Sequence, residues 1–84
     1  MSKQLILITA PFNCGHCVRA LKELPTVCEE QGWEFVEIKN EEKDPKDKLP
    51  VDLYPTIMIR VGGEMKEIVK GYNKAKITET FKKY

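Results

Sequence analysis

Apolar positions along the chain switch between two periods. Gln4 to Thr9 holds a continuous apolar run of strand length, Leu5-Ile6-Leu7-Ile8, the pattern expected where both faces of a strand are covered. From Gly15 to about Gln31, Cys17, Leu21, Leu24 and Cys28 recur at the spacing of one helical face. Pro25 removes one ladder donor from that helix and predicts a kink, and Gly32 supplies a stop. Trp33 to Lys39 reads as a second strand, expected near the sheet centre, with Glu37 and Lys39 on the same face as Trp33 and Phe35. Residues 40–50 are polar and lysine-rich, and Asp44-Pro45 can open a short helix there. Thr56 to Val61 is a third strand. Gly62-Gly63 makes a tight turn, and Glu64 to Lys70 is the antiparallel return. Asn73 is placed to cap a last helix, Lys74 to Lys83, with apolar positions at Ile77 and Phe81.

The order is β-α-β-α-β-β-α, an α/β chain. A helix between the first two strands predicts a right-handed parallel crossover, and the glycine hairpin predicts an antiparallel edge. Together they describe a mixed four-stranded sheet flanked by helices, with residues 1–84 forming one domain. With 32% charged residues but a net charge of +1, no strong field marks the chain for nucleic acid or membrane. The first apolar run is too short to span a bilayer and lacks the cleavage pattern of a signal peptide, so a cytoplasmic monomer is expected. Three cysteines suit a redox or metal role in a reducing compartment better than a secreted disulfide scaffold.

The chemistry centres on Cys14-Gly15-His16-Cys17, which follows a strand and opens a helix. Only a thiolate attacks a disulfide, so one cysteine must ionise near neutral pH. Cys14, at or just before the helix N-cap, faces unpaired N–H groups and the positive dipole end, which favour the anion. His16, the single histidine, stands between the two sulfurs and adds to that effect. Cys17, one turn further in, can resolve a mixed disulfide. A zinc site is the competing reading, with Cys14, His16, Cys17 and Cys28 as candidate ligands. Cys28, however, lies about 16 Å beyond Cys17 along a helix. It reads as a small core hydrophobe, as Met58 and Met65 read as packing residues. Glu37 is either a solvated strand-end carboxylate or a proton carrier partly buried beneath Cys17. Pro55 can open an edge strand, and the lysines of the last helix read as a solvated face.

Three anchors, Cys14-Gly15-His16-Cys17, then Tyr54-Pro55-Thr56, then Gly62-Gly63-Glu64 followed by Lys70-Gly71-Tyr72, resemble the thioredoxin-like superfamily over essentially the whole chain. The tetrapeptide itself is similar to that of protein disulfide isomerase domains. The resemblance implies a protein-disulfide reductase with no bound cofactor beyond its redox-active cysteines. It implies a cis Pro55 facing the dithiol, and a substrate groove formed by Phe12, Asn13, Tyr54, Thr56, Gly71 and Tyr72. It also implies disulfide-bearing protein substrates, ribonucleotide reductase among them, with thioredoxin reductase or glutathione as electron donor. The chain departs from thioredoxins at Asn13, where they usually carry tryptophan, and at Ile8, where they place a buried acid. A glutathione-dependent glutaredoxin-like reductase and a non-catalytic metal- or partner-binding module are the alternative readings.

Overall fold

The computed structural model describes residues 2–9, 15–39 and 54–84. Strand β1 (Lys3–Thr9) leads to helix α1 (Gly15–Gln31) and strand β2 (Glu34–Lys39); then come β3 (Thr56–Val61), β4 (Glu64–Lys70) and helix α2 (Lys74–Lys83). Phe12, Asn13, Cys14 and the short helix expected after Asp44-Pro45 lie outside the described residues.

The sheet order is β2-β1-β3-β4. β1 pairs parallel with β2 and antiparallel with β3, and β3 pairs antiparallel with β4. The mixed sheet is the expected one, but β2 is an edge strand rather than a central one. β3 occupies the other side of β1, so β1 and β3 are the inner pair. Their composition fits that place: Leu5 to Ile8 and Ile57 and Ile59 are all buried, whereas β2 is only half-buried.

Register sorts the side chains onto two faces. Leu7 stands opposite both Glu37 and Ile57, and Ile57 opposite Val69. With Leu5 and Ile59 they form the face that packs on Ala20, Leu24 and Cys28 of α1 and Ile77 and Phe81 of α2. Both described helices therefore cover one face. Along α1 the buried stripe is Cys17, Ala20, Leu24 and Cys28, and Leu21 is only half-buried at its margin. Pro25 lies inside a helix that continues past it to Gln31.

α1 ends where Gly32 takes a left-handed φ of 75°. Gly32 N–H donates to Glu29 O at 3.2 Å and Trp33 N–H to Cys28 O at 2.8 Å, a Schellman closure that satisfies two terminal carbonyls. That closure holds Trp33 out of β2 and drives it into the core, where it meets Phe81 edge-on at 4.9 Å. The capping role of Asn73 holds, its side chain accepting from Lys76 N–H at 3.2 Å. Gly62 and Gly63 both have positive φ in the β3–β4 turn. Met58 is half-buried, but Met65 is 42% exposed and does not pack as expected. It sits on an edge strand, on the face away from both helices.

Candidate active site

Strand direction assembles the site. β1, β2 and β4 end, and β3 begins, at one edge of the sheet, so both helices start there. Cys17, in the first turn of α1, is 2% exposed and disulfide-bonded; Cys28 is a free thiol buried three turns away. Burial pushes the Cys28 thiol up to about 11, so it is inert as a nucleophile near neutral pH. Gly15 and His16 are exposed on the same turn, and a Cβ added at Gly15 would meet open space. No packing constraint requires glycine there.

The Tyr54–Pro55 bond is cis, as the resemblance implied, and Pro55 is fully buried. Its carbonyl accepts from Gly71 N–H at 2.7 Å, which ties the Pro55 turn to the end of β4. Gly71 has a φ of 82°, a conformation that disfavours any side chain, so glycine is required at this junction. Tyr54 is half-buried and Thr56 buried. Tyr72 is half-buried, and its hydroxyl hydrogen-bonds the Glu23 carboxylate. Burial, followed by the charge and hydrogen bond of Glu23, raises the phenol above its ordinary range.

Glu37 shares the helix-covered face at the same sheet end. It is half-buried and accepts from Thr9 Oγ1 at 3.1 Å, so it is not a free strand-end carboxylate. Ile8, by contrast, points to the opposite face, so the polar side chain of β1 nearest α1 is that of Thr9. Among the described residues no three His, Cys, Asp or Glu side chains gather as metal ligands, and no helix is long and apolar enough to cross a membrane.

No protein-family model matches this sequence, and no curated protein matches it. Solved structures do. Mitochondrial thioredoxin 3 of Saccharomyces cerevisiae, in its oxidized form, superposes on 99% of this chain and 79% of its own, with TM-score 0.82 and 21% identity. The reduced Schistosoma mansoni thioredoxin pre-protein covers 99% and 79% at TM-score 0.84 and 21% identity. Chlamydomonas reinhardtii thioredoxin f2 covers 98% and 78% at TM-score 0.84 and 15% identity. The chain has the thioredoxin fold.

Within the thioredoxin fold, the described anchors fall at one end of the sheet: Cys17, the cis Pro55 turn and the Gly71-Tyr72 junction. Three residues beside these anchors carry little signal in the sequence. Thr9 reads only as the end of an apolar strand. Glu23 is marked only by Arg19 four residues before it, the spacing of a helical ion pair. Val18, 65% exposed beside the buried Cys17, is signalled only by falling off the apolar stripe.

Proposed function

We propose that the protein is a thiol–disulfide oxidoreductase that reduces disulfides in protein substrates through Cys14 and Cys17. The observation that carries this reading is the disulfide of Cys17 in the first turn of α1 while Cys28 stays a buried free thiol. Cys14 is the remaining cysteine of three. In the reduced protein the Cys14 thiolate attacks one sulfur of the partner disulfide and expels the other as thiolate. Cys17 then loses its proton and attacks Cys14 Sγ, releasing the second partner thiol and leaving the Cys14–Cys17 bridge. Two electrons pass to the partner, and an external reductant restores the dithiol.

Gly15 and His16 border the nucleophile, and His16 favours its anion. Glu37, held by Thr9, is the carboxylate assigned to take the Cys17 proton. Tyr54, Pro55, Thr56, Gly71 and the ring of Tyr72, with Phe12 and Asn13, form the strip against which an extended substrate lies. The acceptors are disulfide-bearing proteins of a reducing compartment such as the cytoplasm, ribonucleotide reductase among them. Thioredoxin reductase or glutathione is the donor.

Trapping separates the two cysteines. With an insulin substrate, Cys17→Ser accumulates a mixed disulfide through Cys14, whereas Cys14→Ser forms none, and both lose turnover by at least about a hundredfold, since only a thiolate is competent. Turnover retained in Cys14→Ser, or a wild-type protein that shows no two-hydrogen mass change between oxidised and reduced states, overturns the reading.

A further inference from the structure

Among the described residues, charge is segregated at the end of the sheet where the helices begin. On α1 the exposed residues of the first two turns include Val18, Arg19 and Lys22, and the first acid is Glu23. On α2 Lys74 and Lys76 occupy the first turn with no acid beside them. The two groups meet at one carboxylate: Glu23 lies 3.8 Å from Arg19 Nε through one oxygen and 3.8 Å from Lys74 Nζ through the other, and Tyr72 donates to it. Among the described residues, Arg19 and Lys74 share this one acid, and Lys22, exposed three residues after Arg19 on the same side of α1, adds a further positive charge. Arg19 and Lys74 are 68% and 71% exposed, so both heads remain available to solvent or a partner.

Helix stability does not account for this placement. Lysines in the first turn of α2 stand at the positive end of its dipole. Glu29 and Glu30, in the last turn of α1 where no base is present, stand at the negative end of that helix. Each such position is unfavourable by a few tenths to about 1 kcal/mol. Local conflicts of this kind concentrate where function sets the residue. The exposed Val18 lies one turn before Lys22 on the same side of α1, one residue from the buried Cys17.

We propose that this cationic surface with its exposed apolar residue, Val18 with Arg19, Lys22 and Lys74, docks disulfide-bearing protein segments whose cysteine is flanked by acidic residues. The inference rests on the oxidoreductase reading above and narrows its substrate class. Complementary charge raises the encounter rate, and Val18 supplies the dry contact once the segment is seated.

The test uses the reduced full chain and two matched peptides, each with one intramolecular disulfide, flanked by aspartates in one and lysines in the other. Thiol release is timed after acid quench. At about 20 mM salt the acidic peptide reacts roughly tenfold faster, and the ratio falls toward one above about 0.5 M. In an Arg19→Glu/Lys22→Glu double variant the low-salt ratio drops to one or below. Taking a ratio within each variant cancels any general loss of activity. A wild-type ratio of one at low salt, or a ratio untouched by the double reversal, overturns the inference. Bis(2-hydroxyethyl) disulfide, small and neutral, separates the two levels. Its reduction alongside charge-blind peptides sinks only the acidic-partner inference, whereas failure to reduce it sinks the dithiol reading itself.

Discussion

The two faces of the sheet are built from the same kinds of residue and treated very differently. On the helix-covered face Leu5, Leu7, Ile57, Ile59 and Val69 are at most 2% exposed. On the other, the cross-sheet row Val36–Ile6–Met58–Ile68 runs from a half-buried Val36 through 9% exposed Ile6 to Ile68 at 55%. An apolar side chain is thus no measure of its own contribution; what lies over it is. The face that packs on both described helices is also the face that carries Cys17, Thr9 and Glu37, so packing and the candidate chemistry share one layer.

The largest expected effect tests that difference directly. Leu7→Ala removes a fully buried side chain opposite both Ile57 and Glu37, and should cost about 3 kcal/mol in urea unfolding. Ile68→Ala, two strands away on the opposite face and itself 55% exposed, should stay within about 0.5 kcal/mol. Equal losses at the two positions would mean that the faces contribute alike.

A second effect sharpens the contrast by charge. Cys28 is buried under α1 on the covered face, and its thiol is raised from 9.0 to about 11. Folding holds it protonated, so its contribution is fully present below pH 9, where the unfolded thiol is also neutral. It is lost as pH climbs from 9 through 11, because only the unfolded chain can ionise there. The loss approaches about 2–3 kcal/mol at the upper end. Other groups titrate in the same window, so the informative quantity is the difference between wild type and Cys28→Ala. That difference should shrink by this amount between pH 8 and about 11. A constant difference would show that the covered face admits water to the thiol.

Much of this arrangement was legible in the residues. Local signals worked where one element carries the constraint: Gly32 ended α1, Asn73 capped α2, and Gly62-Gly63 made the turn. Apolar continuity marked β1 as a strand covered on both sides. Lateral strand order was less accessible, because β2 and β3 have similar composition and only the pairing of β3 with β1 makes β2 an edge. Met65 failed for the same reason, since periodicity places a side chain on a face but not beneath a cover. Within the site, Cys17 and Pro55 were readable from motif and order. The partners of Glu37 and Tyr72 were not, as Thr9 and Glu23 reach them across 28 and 49 residues of chain.

The smallest effect asks how far the covered layer extends toward the sheet end. Tyr72 is a half-buried phenol that joins the β4–α2 junction to α1 through Glu23, a carboxylate also approached by Arg19 and Lys74. Those ion pairs are long and largely exposed, and such pairs contribute little on their own. The Tyr72–Glu23 hydrogen bond joins two half-buried side chains and is the contact of the cluster that a single substitution can delete cleanly. Tyr72→Phe keeps the ring against the core and deletes only the donor, so it should cost about 1 kcal/mol. Combining it with Glu23→Gln should cost less than the two single losses together, because each removes the same contact. Strict additivity would show that hydroxyl and carboxylate act separately. The link from the Pro55 turn through Gly71 and Tyr72 to the helix carrying Cys17 would then rest on packing alone.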